Sequence, residues 1–476
     1  MKRIYPPTQK DLAFGMGQSG KIHMGYKKRS RFAKLGGRVY LDYAATTPVD
    51  PWVLRAMQPY FSRTFGNPSS LHYFGQQAIA AVDDARETIA KTIGADFREI
   101  IFTGSATEAN NLALRGVMRG ISNFSRYAGS RVAGEIPISK QKPRIIISAV
   151  EHESVRETAR ELELEGVEVI EISVDRYGVV DLKKLEASLN ERTALVSIIY
   201  ANNEIGTVQP LFKIAQIISN FKKRITNYQF PISKRDAKKE LEIYPLFHSD
   251  AAQAFQFLSC VPSDLSVDLM TFSAHKIYGP KGIGALYIGS RVWGLGSRKD
   301  KNILHPSGYT LTPFITGGGQ EFGLRSGTEN VPLIAGFAKA VEIANFLRGR
   351  ERVRVKKLSD YFWAKLKRIA PRAELTVPCV EGVGTKSDAP EFLPNILNVH
   401  FPGVAAEYMI TKLDLFGIAV SSGSACRSRA VQSSHVIGAL GFSDERALET
   451  IRISLGRQTT TKGIDEALKK IKMVFK

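Results

Sequence analysis

The sequence predicts an α/β protein with a large domain built on a mostly parallel sheet of seven strands, plus a smaller α+β domain. The first sign is a series of short apolar runs without polar alternation, as expected for strands that are buried on both faces. The second is that helix-length segments separate these runs, the pattern of a parallel sheet covered by helices. The third is size, because 476 residues with 43% apolar side chains exceed what one hydrophobic core normally supports.

Seven apolar runs are expected to form the strands of the large sheet. They are Ile100–Phe102, Ile145–Ser148, Val167–Ile172, Ala194–Tyr200, Leu246–Ser249, Leu269–Phe272 and Ala285–Ile288. Apolar residues recur at helical spacing over 76–93, which predicts an amphipathic helix. Beyond residue 332 the pattern changes to one long helix or two consecutive helices. Strands are then expected at Ile396–Phe401, Ile418–Ser421 and Thr450–Leu455.

The domain boundary is placed inside the helical stretch that follows residue 332. Residues 1–37 are polar, rich in Gly and Lys, and predicted to be a flexible basic arm. We assign 38–51 to the start of the small domain, 52–340 to the large domain, and 341–476 to the small C-terminal domain.

The formal charge of +20 suggests a nucleic-acid partner until its location is considered. The basic excess concentrates in the segments 1–37, 121–144, 221–240, 296–301 and 346–358, and the remainder of the chain is slightly acidic. Aromatic residues are not interleaved through these segments, as a base-stacking surface requires. We therefore expect solvated surface rather than direct nucleic-acid binding, with an acidic partner or a weak RNA contact left open.

The three cysteines, Cys260, Cys379 and Cys426, are too few and too scattered for a disulfide framework or a zinc site. They predict a reducing compartment and no bound metal. The sequence shows neither an apolar leader nor an apolar stretch as long as a membrane span. The expectation is a cytoplasmic protein without a membrane segment.

Lys276 and Asp250 are the most informative residues. Lys276 follows Ser273-Ala274-His275 at the end of one apolar run, and Asp250 ends the run before it. Ligands of open parallel sheets bind at the carboxyl ends of the strands, where both residues are expected. Pyridoxal phosphate needs an amine that forms a Schiff base and a carboxylate that keeps the pyridine nitrogen protonated. The pair therefore indicates a pyridoxal-phosphate enzyme.

Other polar positions also follow predicted strands. Ser105 and Glu108 have the spacing of a capping box, so the helix start there is suited to a phosphate, although an ordinary capped helix explains the same residues. His152 is placed to stack on a flat ring and to transfer protons, although a lone histidine is more often structural. Asn202 opens the stretch to Gly206, which turn chemistry explains equally well.

The last part of the chain adds three candidates. The glycine-rich stretch Gly317–Thr328 suits a loop whose backbone approaches a ligand closely. Cys426 lies in the small, polar segment Ser421–Ser428 beside Arg427, and exposure with a cationic neighbour favours the thiolate. Arg452 lies in a strand-like run and must find an anion, either a substrate carboxylate or a structural partner.

Together these motifs resemble those of the pyridoxal-phosphate cysteine desulfurases of the NifS/IscS type, in the class V aminotransferase superfamily. The resemblance covers about residues 38–472. It is carried by Leu41–Pro48, Phe65–Ser70, Asn202–Gly206, Asp250–Gln253, Ser273–Gly282, Arg325–Thr328 and Ser421–Cys426. It implies the fold type I of the pyridoxal-phosphate-dependent transferases, and a homodimer.

The resemblance also implies a role for each site residue. Lys276 is the Schiff-base lysine, His152 stacks on the cofactor ring and assists proton transfer, and Asp250 contacts the pyridine nitrogen. The remaining implied cofactor contacts are Gln253 at the phenolic oxygen, Ala106, Thr107, Ser273 and His275 around the phosphate, Asn202, and Thr328 at the phosphate of the partner subunit. The implied substrate contacts are Asn67, Asn202 and Arg452, and the implied sulfur acceptor is Cys426.

The expected activity is removal of sulfur from L-cysteine to give L-alanine and an enzyme persulfide, for an iron–sulfur scaffold or a tRNA-thiolation relay. The alternatives are a selenocysteine lyase, another class V enzyme, or a non-catalytic sulfur carrier or RNA-associated adaptor with the same fold. The chain departs from the family pattern in two respects. Gly104 and Ser105 stand in exchanged order, and the segments 121–144, 221–244 and 294–312 are longer than in the family.

Overall fold

The computed structural model describes residues 37–127, 142–228, 244–290, 292, 311–379, 390–423 and 433–475. The strands in chain order are β1 (Val39–Tyr40), β2 (Ile100–Thr103), β3 (Arg144–Ser148), β4 (Glu168–Ile172), β5 (Thr193–Ser197), β6 (Leu246–Asp250), β7 (Leu269–Ser273), β8 (Gly284–Ile288), β9 (Glu374–Leu375), β10 (Ile396–His400), β11 (Ile418–Ala419), β12 (Ser421–Ser422) and β13 (Thr450–Ser454). The α-helices are α1 (Pro51–Met57), α2 (Pro59–Ser62), α3 (Tyr73–Ile93), α4 (Ala106–Tyr127), α5 (Glu153–Leu164), α6 (Leu182–Ser188), α7 (Leu211–Tyr228), α8 (Pro262–Leu265), α9 (Val331–Ile369), α10 (Ala406–Leu415), α11 (His435–Ala439), α12 (Asp444–Leu448) and α13 (Thr461–Val474). The predicted arm 1–37 falls outside the described residues except for Gly37, as do most of the predicted insertions.

The large sheet has seven strands in the order β2–β8–β7–β6–β5–β3–β4. β8 is antiparallel to both of its neighbours, and the other adjacent pairs are parallel. Each predicted apolar run supplies one of these strands. The prediction of a mostly parallel seven-stranded sheet is therefore confirmed.

The sheet is buried on both faces, and successive side chains of each strand point into opposite hydrophobic cores. Ile100 and Phe102 of β2 lie in the larger hydrophobic core, whereas Ile101 lies in a second core on the other face. In the same way Phe247 of β6 belongs to the larger core and Leu246 to the second. Strands with two apolar faces carry no polar alternation, which explains why the runs read as continuous apolar segments.

Side-chain caps set the first residues of two helices that the sequence predicts only approximately. The predicted helix 76–93 begins earlier, at Tyr73, because the His72 side chain accepts a hydrogen bond from the backbone N–H of Gly75. It ends at Gly94, which has a φ of +67°. The stretch after residue 332 is one helix of 39 residues, α9, whose N-cap Asn330 accepts from the N–H of Leu333.

A second sheet lies in the C-terminal part, in the order β12–β13–β10–β9, with every adjacent pair antiparallel. The predicted strand Ile418–Ser421 divides at Val420, since β11 pairs instead with β1, in parallel. The beginning of the described chain thus joins its C-terminal part, which supports the proposed assignment of 38–51 to the small domain. In the part of the chain that the structure describes, no helix is long and apolar enough to cross a membrane.

Candidate active site

Five predicted site positions lie at one edge of the large sheet. Ser105 follows β2, His152 follows β3, Asn202 follows β5, Asp250 ends β6, and Lys276 follows β7. These strands run in the same direction, because β2 and β7 are both antiparallel to the strand between them. Their carboxyl ends therefore meet at a single edge, the usual ligand-binding position of an open α/β sheet.

Asp250 is almost completely buried and fixed by two hydrogen bonds. Its Oδ2 accepts from Asn110 Nδ2 at 2.8 Å, and its Oδ1 accepts from the backbone N–H of Ala252 at 2.9 Å. Asn110, on α4, also donates to Ser154 Oγ at 2.8 Å, and its own Oδ1 has no hydrogen-bond partner among the described residues. Asn110 leaves no local signal in the sequence, because its partner lies 140 positions further along the chain.

His152 is the N-cap of α5 and is half-buried. Its Nδ1 accepts from the backbone N–H of Ser154 at 3.1 Å and lies 2.8 Å from Ser154 Oγ. Since a backbone N–H can only donate, the neutral imidazole carries its proton on Nε2. One chain of hydrogen bonds thus runs from His152 through Ser154 and Asn110 to Asp250.

Lys276 and Gln253 converge on the same backbone carbonyl. Lys276 Nζ donates to the carbonyl oxygens of Ala44 and Ala45 at 2.7 and 2.8 Å, and Gln253 Nε2 donates to that of Ala44 at 2.7 Å. Lys276 stands at the end of a short 3₁₀ turn directly after β7. The segment after β1 therefore forms one wall around the lysine.

The same segment fixes His275. Its backbone carbonyl accepts from both the N–H and the Oγ1 of Thr47, and its Nδ1 lies 3.1 Å from Thr46 Oγ1. Burial, together with the charges of Lys276 and Lys281, lowers the pKa of His275 to about 4. The imidazole is therefore neutral near pH 7 and binds through hydrogen bonds rather than charge.

The start of α4 forms a cradle beside β7 and β8. Ser105 Oγ accepts from the N–H of Glu108 at 3.1 Å, as its capping spacing predicted, and Glu108 Oε2 accepts from the N–H of Gly104 at 2.8 Å. Gly284 allows the close approach, because a Cβ there would lie 2.9 Å from the backbone nitrogen of Ala106. Thr107 is exposed in the first turn, where free amides and the helix dipole favour an anion.

Asn202 and Arg452 are both buried, and their hydrogen bonds are largely made within the protein. Asn202 Oδ1 accepts from the N–H groups of Glu204 and Ile205, and its Nδ2 donates to the carbonyl of Val150. These are the contacts of a turn, the alternative that the sequence left open. The amide retains one donor hydrogen beyond them.

Arg452 finds its anion in Asp42, at 3.0 Å from Nη2. Nη2 also donates to Ser421 Oγ, and Nη1 donates to the carbonyl of Asn203. Its Nε has no hydrogen-bond partner in the described part of the chain. The structural ion pair is thus present, and only part of the hydrogen-bonding capacity of the Arg452 guanidinium remains available to a substrate.

Two predicted site positions have exposed side chains, and a third lies outside the described residues. Asn67 is exposed, and its Oδ1 accepts from the N–H of Ser69 within a turn. Thr328 is exposed in the loop after Gly327. Cys426 lies outside the described residues, so its role remains a prediction.

Two buried glutamates at this edge were not identified from the sequence. Burial raises the pKa of Glu151 to about 8, although its Oε1 accepts from Ser148 Oγ and from the N–H of Ile199. Burial also raises the pKa of Glu204, whose Oε2 accepts from Ser434 Oγ at 2.6 Å. Neither glutamate stands out in the sequence, because each lies close to a residue that already has an expected role at the site, His152 or Asn202.

The donor set fits pyridoxal phosphate. A buried carboxylate, an amine, an amide and a capped helix start lie around one sheet edge, and the orphaned Asn110 Oδ1 lies in the same buried network as Asp250. Fold and site together define a pyridoxal-phosphate-dependent enzyme. The model of the family described as aminotransferase class-V matches residues 39–226 and 237–467, and the chain belongs to this family.

Curated relatives and solved structures agree. The chain is 39% identical over 430 residues to "Cysteine desulfurase IscS" of Dictyoglomus turgidum, which covers 90% of this chain and 92% of that protein. It is 41% identical over 431 residues to "Cysteine desulfurase, mitosomal" of Encephalitozoon cuniculi, covering 90% and 85%. A solved structure named "NIFS-LIKE PROTEIN" superposes with a TM-score of 0.72 at 35% identity, covering 92% of this chain and 99% of that one.

Proposed function

We propose that the chain is a pyridoxal-phosphate-dependent cysteine desulfurase, which converts L-cysteine to L-alanine and receives the sulfur on Cys426 as a persulfide. The observation that carries the proposal is the placement of Asp250 and Lys276 at the carboxyl ends of the neighbouring parallel strands β6 and β7. The names of the curated relatives support the same activity.

The bound cofactor supplies an electron sink that makes the Cα–H bond of the substrate acidic. Asp250 would keep the pyridine nitrogen protonated, since its side chain is buried and oriented by Asn110 and by the N–H of Ala252. Lys276 Nζ would bind the cofactor and carry the Cα proton. His152 moves protons at Nε2, the nitrogen left over when Nδ1 accepts from Ser154.

The remaining contacts divide between the phosphate and the substrate. Ala106 and Thr107 at the start of α4, with Ser273 and His275, would hold the phosphate, to which Thr328 of the partner subunit would add a contact. Gln253 would contact the phenolic oxygen. Asn67, Asn202 and Arg452 would hold the substrate carboxylate. Because Asn202 and Arg452 already make hydrogen bonds within the protein, their contact with the substrate needs a separate test.

Cys426 completes the reaction as the nucleophile. Its thiolate attacks the sulfur of the substrate, so that an S–S bond forms as the Cβ–S bond breaks. The electron pair of the broken bond stays with the carbon fragment, which takes up a proton and becomes the methyl group of alanine. The products are one alanine and one persulfide, so no external oxidant is required. Release as sulfide requires a thiol reductant.

The test is product analysis with purified protein, L-cysteine and a thiol reductant. We expect alanine and sulfide in equal amounts, and Cys426→Ser should retain the cofactor and bind L-cysteine but release almost no sulfide. A serine hydroxyl is too weak a nucleophile to accept sulfur, yet it hardly changes the size of the side chain. Pyruvate in place of alanine, or undiminished sulfide from Cys426→Ser, would contradict the proposal.

Cys260→Ala is the matched control for loss of a thiol. Cys260 is buried, and burial raises the pKa of its thiol to about 12, so that it is unreactive near neutral pH. The variant should keep the sulfide release of the wild-type protein. Comparable losses in the two variants would point to a structural cause instead of sulfur acceptance.

We also propose that the enzyme is a cytoplasmic homodimer that delivers sulfur to an acceptor protein, an iron–sulfur scaffold or a tRNA-thiolation relay. Exposed apolar side chains near α2 and α3 support the dimer, because large exposed apolar groups tend to be covered by a partner. They are Phe61, Phe65, Leu71, Tyr73 and Phe74. Light scattering tests the oligomeric state, and localisation of the tagged protein decides between the cytoplasm and an organelle such as that named for the mitosomal relative.

A further inference from the structure

Two residues that flank the segment containing Cys426 lie against one carboxylate. Gly423 directly precedes that segment, and Ser434 is the second described residue after it. Ser434 Oγ donates to Glu204 Oε2 at 2.6 Å. A Cβ added to Gly423 would lie 2.1 Å from the same oxygen, so the backbone there is in direct contact with the carboxylate. One side chain therefore contacts both ends of the segment.

Glu204 is itself held firmly in place. It is 4% exposed, its N–H donates to Asn202 Oδ1 at 2.8 Å, and its carbonyl accepts from Asn398 Nδ2 at 3.2 Å. It belongs to the turn that follows β5. In the same turn, the carbonyl oxygen of Asn203 accepts a hydrogen bond from Arg452 Nη1. A side chain fixed in this way can serve as a stable support for the contacts that it makes.

The exit from the segment has a second attachment, through His435. Its Nε2 lies 3.0 Å from the carbonyl oxygen of Glu151, and its Nδ1 lies 3.1 Å from Glu153 Oε1. These two acceptors lie on either side of His152 in the chain. Ser434 in turn caps α11 through the N–H of Ile437. The position after the cysteine segment is thus tied to the immediate neighbours of His152.

The electrostatic surroundings of Glu204 agree with this arrangement. Burial raises its pKa, and the Ser434 hydrogen bond and the charges of Arg452 and His152 oppose that effect, whereas Glu153 adds to it. A buried carboxyl that loses its hydrogen-bond donor incurs a desolvation cost. The Glu204–Ser434 contact is therefore favoured over one in which Ser434 moves away.

We propose that Glu204 is a positioning residue for sulfur transfer, because it fixes both ends of the segment that contains Cys426 relative to His152 and Asn202. The inference rests on the proposed function, in which Cys426 accepts the sulfur. Positioning matters here because a nucleophile displaced by about 1 Å can cost roughly a hundredfold in rate. Glu204 contributes no atom to the reaction and acts only through the backbone that it holds.

The experiment compares Glu204→Ala with Glu204→Gln in the cofactor-loaded, full-length protein. Alanine removes the acceptor of the Ser434 hydrogen bond, whereas glutamine keeps a carbonyl oxygen of similar position. We expect Glu204→Ala to lower kcat for alanine formation about ten- to hundredfold with little change in KM, and Glu204→Gln to remain within about threefold of wild type. Glutamine as impaired as alanine would overturn the role of the hydrogen bond.

A second measurement does not depend on activity. Amide hydrogen exchange over 433–440 should accelerate in Glu204→Ala and in Ser434→Ala, while the visible absorbance of the bound cofactor stays unchanged. Glu99→Ala is the matched control, since Glu99 is also buried but accepts from the backbone N–H groups of Asp96 and Ser290. Equal acceleration by Glu99→Ala, or none by Glu204→Ala, would overturn the proposal.

The two proposals fail in different ways. A wild-type protein that forms no alanine from L-cysteine refutes the proposed function and, with it, the role of Glu204 in sulfur transfer. If the wild-type protein forms alanine and Glu204→Ala forms it at the same rate, the positioning role alone is refuted. A further check is the Glu204→Ala, Ser434→Ala double variant, whose loss should not exceed that of Glu204→Ala alone, because Glu204→Ala already removes the contact with Ser434. Additive losses would count against the contact.

Discussion

The two sides of the site are held in different ways. Asp250 and Lys276 stand at strand ends of the seven-stranded sheet, where backbone hydrogen bonds between strands fix their positions. Arg452 and Ser434, in the C-terminal part, are joined to the site by side-chain contacts with residues far away in the sequence, among them Asp42 and Glu204. The first side is built by secondary structure. The second depends on a small number of long-range side-chain contacts, so that a single substitution there removes a large share of them.

The largest effect is expected on the strand-end side, from Lys276→Ala. Loss of the amine removes the group that binds the cofactor and carries the Cα proton, and activity should fall by about 10²–10⁴-fold or more. The visible absorbance of the bound cofactor should change as well. Lys281→Ala is the control, because Lys281 is an exposed neighbour. An unchanged spectrum and turnover in Lys276→Ala would refute the assignment of the site.

Arg452→Met tests the long-range side. The variant leaves Asp42 without its charge partner in a largely buried position, and the expected cost is about 3–5 kcal/mol of unfolding free energy. The exposed pair Arg352–Glu391 provides the control, since Arg352→Met should cost at most about 1 kcal/mol. Thermal unfolding measures both. An Arg452→Met variant as stable as the wild type would contradict the structural role of the ion pair, whereas a raised KM for L-cysteine would support the proposed contact with the substrate.

Glu151→Gln tests how burial acts at the strand ends. The carboxyl has a pKa near 4.5 when unfolded and about 8 when folded, so between these values the folded state holds a proton that the unfolded state releases. The wild type should therefore lose up to about 1.4 kcal/mol of stability per pH unit from pH 5 to 8, and little more above pH 8. Glutamine cannot ionise. The difference in unfolding midpoint between variant and wild type should grow over this range, and a constant difference would contradict the shift.

Gly284→Ala should have the smallest effect of the four. The added Cβ would lie 2.7 Å from the carbonyl carbon of Ser105 and 2.9 Å from the backbone nitrogen of Ala106, and backbone atoms yield less readily than side chains. A displaced helix start should weaken cofactor binding by about 1–3 kcal/mol, which titration of the apoprotein measures. Gly349→Ala has open space around its Cβ and should leave the affinity unchanged. Equal affinities in both variants would remove the cradle from the phosphate site.

The sequence predicted the strand-end side better than the long-range side, for a physical reason. Each strand of the large sheet is a local apolar run, and the polar residue at its end is visible in the same window of sequence. Asp42 and Arg452 are 410 positions apart, and Asn110 and Asp250 are 140 apart, so neither pair leaves a local pattern. The split of Ile418–Ser421 at Val420 is similar, because only the distant partner β1 draws Ile418 and Ala419 away from the second sheet.

Cap residues mark a second limit of the sequence. Histidine is an unusual N-cap, yet His72 and His152 both cap helices through Nδ1. The predicted start of α3 at residue 76 is therefore three residues later than Tyr73, and the structural alternative that the sequence leaves open for His152 takes the form of an N-cap. Glu204 lies within the motif Asn202–Gly206, but no local pattern indicates its contact with Ser434, which is 230 positions away.

The pairing of β1 with β11 has a consequence for synthesis of the chain. Val39 and Tyr40 leave the ribosome early, but their partners Ile418 and Ala419 are translated near the end. The carbonyls of Ala44 and Ala45 follow β1 directly and bind Lys276 Nζ. A nascent chain can therefore form most of the large sheet while the wall beside its lysine still lacks its anchor. The wall can be anchored only after translation has passed β11, so a product that ends before Ile418 lacks the pairing partner of β1.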